Sequence, residues 1–198
     1  MKESKYQNLL APLLKEAIFK ASDARLRGIP SRMLAHFCKK GLIERIGRGL
    51  YRVVEASSGI ALDFEELVLI ASSIPRGVVC LISALSYYGL TDQITREYWI
   101  AVPNTDKKPK RLHVRIVRMR NMSLGLTSAK IGKYKVKIFD RERTVVDSFR
   151  HLSDEIAIKA LQSYLKSSSG HKPDLPKLSK YAKALRININ PYIMALTT

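Results

Sequence analysis

The segment from residue 29 to residue 53 constrains the fold more than any other, because a helical pattern is followed at once by a hairpin pattern. Apolar residues recur in it at the spacing of one buried helix face: Met33, Leu34, Phe37 and Cys38. Gly41 follows, where a helix C-terminus favours a left-handed residue. The strand-like runs LIERI and LYRV then flank residues 47–49, Gly-Arg-Gly. The pattern predicts a helix over residues 30–40 and a two-stranded wing with Arg48 at its tip.

The residues before this segment predict two further helices. Ser22 and Asp23 are typical of an N-cap, and the short helix that they open would end at Gly28. Residues 9–18 form an earlier helical stripe, in which Pro12 indicates a kink or the start of the main helix. Helix, glycine turn and helix is the order of a helix-turn-helix, whose second helix enters the major groove. We therefore expect residues 1–56 to form a winged helix-turn-helix domain that binds DNA.

The side chains left outside the predicted core of this domain are mostly cationic. Such groups on a recognition helix and a wing would contact base edges and phosphates. The predicted DNA-binding residues are Ser31, Arg32, His36, Lys39, Lys40, Arg45, Arg48 and Arg52. The alternative is that a small helix-hairpin unit carries these charges only for solubility.

The charge of the whole chain also favours a polyanionic partner. Its 198 residues include 35 Lys+Arg and 17 Asp+Glu, which gives a net charge of +18. Residues 103–137 are the most basic part, with 11 Lys+Arg and 1 acidic residue. Nucleic acid is a more probable target of such a balance than a membrane surface. The N-terminus lacks the apolar core of a signal peptide, and no window of eighteen apolar residues occurs, so we expect a cytoplasmic protein.

A small-residue break at residues 56–59 predicts that a second domain spans residues 57–198. Its predicted helices cover residues 63–73, a segment opened by Ser83, a segment from Asp140, and three more before the C-terminus. Residues 98–102 predict a central strand, and residues 112–118 and 133–138 predict half-buried strands. The expected fold class is α+β: a winged helix-turn-helix followed by a mixed domain with a small, mainly antiparallel sheet and C-terminal helices.

The outer faces of these strands and the loop before them are basic. Together they predict a surface that follows a phosphate backbone, and the alternative is a solvated sheet face. The residues are Lys107, Lys108, Lys110, Arg111, Arg115, Lys133, Lys135 and Lys137.

The sequence contains none of the catalytic motifs for nucleotide binding, zinc proteolysis or serine hydrolysis. We therefore predict no enzyme, no cofactor and no metal site. Asp140, Glu142 and Asp147, with Lys135 and Lys137, form a loose cluster that would hold Mg²⁺ in a nuclease. Helix capping and surface salt bridges explain the same residues. The two cysteines, Cys38 and Cys80, lie in apolar contexts and are interpreted as buried thiols.

Taken in order, these segments resemble the AbiEi family of type IV antitoxins from bacterial abortive-infection systems. The resemblance rests on Gly28-Ile29 and on the strings KKGLIERIGRGLYRV (39–53), LISALSYYGL (81–90) and DRERTVVDSF (140–149). Tyr88 stands where many members have His before Gly-Leu.

The resemblance implies an N-terminal domain that binds inverted repeats in its own promoter and represses it. It also implies a C-terminal domain that counteracts a nucleotidyltransferase-like toxin, directly or indirectly, in antiviral defence. On this interpretation the basic strand residues are the antitoxicity surface. A stand-alone transcriptional repressor and a DNA-targeted nuclease remain the alternatives.

Overall fold

A computed structural model describes residues 2–16, 18–47, 49–54, 62–74, 76–93, 97–107, 113–131, 134–166 and 171–197. The chain forms two compact units. The first is Met1–Pro75 with Ile131–Tyr134, and the second is Arg76–Lys130 with Lys135–Thr198. The predicted α+β class is confirmed. None of the described helices has the length and apolar run needed to cross a bilayer.

Helices and a small sheet alternate in the first unit. In chain order the elements are α1 (Lys2–Leu14), β1 (Ile18–Lys20), α2 (Ala21–Leu26), α3 (Ser31–Lys39), β2 (Ile43–Gly47), β3 (Leu50–Val53) and α4 (Leu62–Ser73). The three strands form an antiparallel sheet in the order β1-β3-β2. Helix α3 ends as predicted, with Gly41 at φ +70° after the C-cap Lys40. This is the helix order and hairpin expected of a winged helix-turn-helix.

The structure corrects the prediction for residues 12–23. Helix α1 already begins at Lys2 and contains Pro12 near its end, so the expectation of a helix starting at Pro12 is wrong. Ile18 lies in strand β1 instead of on the helical stripe, because it pairs with Arg52. Phe19 is buried on this strand and stacks on Tyr51 with ring centroids 5.6 Å apart. Strand β1 was not predicted, since three residues are too short to show a periodicity.

Helix α2 also begins earlier than predicted, at Ala21. Asp23 is therefore within its first turn, and its carboxylate accepts the Lys20 backbone N–H at 3.0 Å. An acceptor at this place satisfies a backbone donor at the start of the helix.

Helix α4 belongs to the first unit, although the small-residue break placed it in the second domain. The break itself, residues 56–59, lies outside the described residues. On α4 the predicted inward residues Leu67 and Val68 are buried, and Ala71 is half-buried.

The second unit contains a five-stranded sheet and five helices within the described ranges. The elements are β4 (Val78–Val79), α5 (Leu81–Tyr87), β5 (Tyr98–Pro103), β6 (Val114–Met119), β7 (Leu126–Ile131), β8 (Tyr134–Phe139), α6 (Arg141–His151), α7 (Asp154–Leu165), α8 (Leu175–Leu185) and α9 (Asn190–Thr197). The strand order is β6-β5-β4-β8-β7.

The sequence predicts a mainly antiparallel sheet, whereas the pairings with a described register are mixed. Strands β4 and β5 are antiparallel, while β5 and β6, and β4 and β8, are parallel. Alternating residues indicate which face of a strand is buried, but they carry no information on the direction of its neighbour. Strand β5 lies inside the sheet, as predicted. Strand β7, which is mostly exposed at its start, was not predicted.

Helix α5 begins at Leu81, immediately after β4, and not at Ser83. The Ser83 hydroxyl, two residues further on, accepts the Trp99 backbone N–H at 2.8 Å, so it links α5 to β5. The helices α6 to α9 follow the predicted segments, and their apolar faces meet in one core with Leu85 and Leu90.

Candidate functional site

Helix α3 carries the residues predicted to read DNA, and its two faces are sharply different. Leu34 and Phe37 are buried in the core of the first unit, at 1% and 0% exposure. On the other side Ser31, Arg32 and Lys39 are exposed, and so is Lys40 at the C-cap. His36 is half-buried, with its ring 5.9 Å from the Phe37 ring in an edge arrangement. The outer face of α3 therefore carries hydrogen-bond donors that do not belong to the core of the first unit.

The hairpin after α3 adds two exposed arginines, Arg45 on β2 and Arg52 on β3. Arg52 is opposite Glu44 in the strand register and forms an ion pair with it. A phosphate that binds Arg52 would therefore compete with a carboxylate. Arg48, at the predicted tip of the wing, lies outside the described residues, whereas Gly49 beside it has φ +70°.

The basic strand residues of the second unit are only partly described. Lys107, Arg115, Lys135 and Lys137 are exposed, while Lys108, Lys110, Arg111 and Lys133 lie outside the described residues. Arg115 stacks on Trp99, with its guanidinium carbon 4.3 Å from the ring centroid. It is thus a cation held in place by an aromatic side chain.

The strand register places Arg115 and Lys137 on the same face of the sheet. Their neighbours Ile116 and Ile138 share the opposite face, since both align through Ile100 and Val79. Strands β6 and β8 are separated by two others, so the strands that carry these cations are about 14 Å apart, three strand spacings. The structure brings them to one face but not into one cluster.

The segment from Asp140 to Phe149 contains the carboxylates that were considered as a magnesium site. Asp140 is the N-cap of α6, and one of its oxygens accepts the Arg143 backbone N–H at 2.9 Å. Its other oxygen accepts the Tyr181 hydroxyl at 3.0 Å and lies 3.0 Å from the Lys177 ammonium.

Glu142 joins the same lysine, at 2.8 Å from Lys177 Nζ. Its other oxygen accepts the Tyr164 hydroxyl at 3.0 Å. Desolvation by burial raises the pKa of Tyr164, and the negative Glu142 acts in the same direction. Glu142 and Asp140 are therefore joined through Lys177, and each also accepts one tyrosine hydroxyl.

Asp147 is separate from these two carboxylates and is paired with Arg143. Arg143 Nε lies 2.7 Å from the carboxylate, and both side chains are only 2% exposed. A second guanidinium nitrogen donates to the carbonyl oxygens of Asn121 and Leu124 at 3.0 and 2.9 Å. Burial raises the pKa of the Asp147 carboxyl, against the opposing effect of the Arg143 charge.

Gly125 packs closely against the Arg143 side chain of this ion pair. It has φ +67°, and a Cβ at this position would lie 2.6 Å from the Arg143 Cβ. The glycine allows the loop before β7 to approach α6.

These contacts support helix capping and ion pairing, and not a metal cluster, as the role of the three carboxylates. Lys135 and Lys137 are exposed on β8 and form none of these ion pairs. The partner of Asp140 and Glu142 is Lys177 on α8. Within the described ranges, no three His, Cys, Asp or Glu side chains come together in a group that would hold a metal ion. The four-residue spacing of Arg143 and Asp147 was a local signal for their pairing. Lys177, Tyr164 and Tyr181 come from other helices, and no local pattern indicates them.

Tyr88, which replaces the histidine found in many members of the resembled family, has a structural role. Its hydroxyl donates to the Phe139 carbonyl oxygen at 3.0 Å, and its own carbonyl accepts from Arg141 at 2.9 Å. Burial raises its pKa above the ordinary tyrosine range. Cys80 is buried and Cys38 is half-buried, and both are free thiols.

Comparison with known proteins finds a family match within the first unit. Residues 8–54 match the model of a family described as transcriptional regulator, AbiEi antitoxin. This confirms the resemblance inferred from the sequence. No curated protein matches the chain. The crystal structure of the RV2827C protein from Mycobacterium tuberculosis is similar to this chain, with 13% identity and a TM-score of 0.49, over 88% of this chain and 79% of that chain.

Proposed function

We propose, from the match of residues 8–54 to AbiEi antitoxin transcriptional regulators, that this chain is the antitoxin of a type IV toxin-antitoxin system and represses its own promoter. The observation that carries the proposal is the extent of this match. It runs from α1 to the end of β3, and therefore includes every residue predicted to bind DNA, from Ser31 to Arg52.

In this proposal α3 enters the major groove of promoter DNA that contains inverted repeats. Arg32 and Lys39 are exposed on α3, and a guanidinium on such a helix reads guanine by paired hydrogen bonds. The hairpin follows the backbone through Arg45 and Arg48, which fixes the register of the helix on the duplex. Arg52 contributes less, since it is paired with Glu44.

The remainder of the chain, taken from residue 57 onward, supplies antitoxicity in this proposal. Its target is a nucleotidyltransferase-like toxin, which it opposes directly or indirectly in cytoplasmic antiviral defence. The exposed Arg115, Lys135 and Lys137 on one sheet face support an electrostatic contact of this domain. The proposal assigns the antitoxin itself no catalytic role, and the capping and ion pairs made by the carboxylates of α6 support this assignment.

The first test is binding of the full chain to a fluorescent duplex taken from upstream of its gene, with a random duplex of equal length alongside. The variant Arg32→Ala/Lys39→Ala should lose most of its preference for the upstream duplex. Lys166→Ala removes an exposed charge at the end of α7 and is the control, which should bind as the parent does. Equal binding of both duplexes by the parent chain would contradict promoter recognition.

The second test is co-expression with an adjacent gene that encodes a nucleotidyltransferase-like protein, scored as growth. The chain should restore growth, and Lys135→Glu/Lys137→Glu should fail to restore it while still binding the upstream duplex. Full rescue by this variant would show that the strand face is only solvated. Absence of any rescue by the parent chain would favour a repressor that acts without a toxin.

A further inference from the structure

A cleft of about 820 Å³ lies in the second unit, where three elements end close together. They are strand β6 with the residues after it, helix α6 and helix α8. Four exposed arginines line it: Arg118, Arg120, Arg150 and Arg186. The cleft shares no residue with the predicted DNA-binding set or with the basic strand residues.

The charge in this cleft is unbalanced. Among the described lining residues the single carboxylate is Asp147, and it is already paired with the buried Arg143 at 2.7 Å. The four exposed arginines form no ion pair with any residue that the structure describes. Like charges that line a concave surface reinforce one another and raise the local concentration of anions.

The floor of the cleft is rigidly built. Arg143 donates to the carbonyl oxygens of Asn121 and Leu124, and so fixes the loop that follows Arg120. The Arg143 side chain that makes these bonds is buried, at 2% exposure, which distinguishes the site from a chance gathering of surface side chains.

The backbone at the rim supports the same conclusion. Arg186 has φ +58° and ψ +43°, a left-handed conformation that ends helix α8. Glycine is the usual residue at such a position, because a Cβ makes it strained. An arginine in place of glycine at this strained position supports a role for its side chain at the rim of the cleft.

We propose that this cleft binds a ligand with two or more adjacent phosphate groups. A guanidinium binds phosphate oxygens through two parallel hydrogen bonds, and four of them exceed what one phosphate requires. The described lining has no Phe, Tyr or Trp on which a base would stack, so recognition is of the phosphates and not of the base. His151, at the end of α6, adds a ring donor to the same wall.

The direct test is calorimetric titration of the full chain with inorganic tripolyphosphate at fixed ionic strength. The variant Arg120→Gln/Arg150→Gln should bind at least about tenfold more weakly, because charge-assisted hydrogen bonds are lost. Lys130→Gln/Lys166→Gln removes the same charge from exposed positions on β7 and at the end of α7, outside the cleft, and is the matched control, for which less than a twofold change is expected. All three proteins should melt at the same temperature, since these side chains are exposed.

Failure of the parent chain to bind tripolyphosphate, or an equal loss in both variants, would overturn the proposal. Two competitors then identify the source of the phosphates. Displacement by ATP but not by a single-stranded RNA twelve-mer with a 5′-hydroxyl end would assign a free nucleoside triphosphate. Displacement by the RNA at lower concentration than ATP would assign consecutive phosphodiesters. These readouts are independent of promoter binding and rescue, so failure here leaves the proposed antitoxin function untouched.

Discussion

Helices α3 and α6 use charged residues in opposite ways. Helix α3 buries Leu34 and Phe37 and leaves Arg32 and Lys39 exposed, so these two charges are available to a partner. Helix α6 buries Glu142, Arg143 and Asp147, and their partners are residues of the same unit. The comparison teaches that the position of a charge, more than its sign, decides whether its loss affects binding or folding.

The largest expected effect is at the buried pair of α6. Arg143→Ala should lower the free energy of unfolding by about 3–5 kcal/mol, because it leaves the Asp147 carboxylate buried without a partner. The loss should be measured by urea unfolding of the full chain, followed in a signal from the second unit such as Trp99 fluorescence.

A second variant tests the same site without removing charge. Gly125→Ala should also destabilise this unit, since the new Cβ would lie 2.6 Å from the Arg143 Cβ and the backbone has φ +67°. If both variants unfolded at the same urea concentration as the parent chain, the stability of α6 would not depend on this ion pair.

The next effect is on binding and not on folding. Arg32→Ala should weaken binding to the promoter duplex by about 1–3 kcal/mol if the guanidinium reads a base edge. Its thermal midpoint should remain that of the parent, because Arg32 is exposed. A lower thermal midpoint would contradict the contrast between α3 and α6, since it would show that Arg32 on α3 also stabilises the fold.

A smaller loss is expected at Tyr164. Its hydroxyl donates to Glu142 and accepts the Asp174 backbone N–H at 2.7 Å. Tyr164→Phe should cost about 0.5–1.5 kcal/mol of unfolding free energy, because the Glu142 carboxylate and the Asp174 backbone N–H each lose a hydrogen-bond partner. Tyr181→Phe loses a partly buried hydrogen bond to Asp140. Comparing it with Tyr164→Phe would show how the loss of unfolding free energy depends on the burial of the hydrogen bond.

The smallest effect should be at the exposed pair of α7. Glu155 and Lys159 have the same four-residue spacing as Arg143 and Asp147, but their side chains are 73% and 65% exposed. Lys159→Ala should leave the thermal midpoint unchanged within error, since solvent and salt screen such a pair. A shift comparable to that of Arg143→Ala would mean that spacing matters more than burial.

The same contrast explains how much could be predicted from the sequence. The boundaries of α3 and of the following hairpin depend on neighbours within a few residues, so the pattern of Leu34, Phe37 and Gly41 was sufficient. The α7, α8 and α9 segments were predicted for the same reason.

The missed features depend on residues far apart in the chain. The parallel pairing of β4 with β8, in which Val79 is opposite Ile138, has no local signal. The same is true of the cleft, whose arginines come from three separate elements. For the carboxylates of α6, the sequence favoured helix capping and ion pairing over a metal site, but the partners Lys177 and Arg143 are identified only by the structure.

The strand order β1-β3-β2 has a consequence for the order of folding during synthesis. Strand β3 is the middle strand, yet it is the last of the three to leave the ribosome. Strands β1 and β2 are not neighbours in the sheet, so neither has a strand partner until residues 50–53 are made. Closing the sheet then joins Ile18 to Arg52 across the whole helical segment, which is a long-range contact with a large entropic cost. We therefore expect the local β2–β3 hairpin to form first and β1 to join it last.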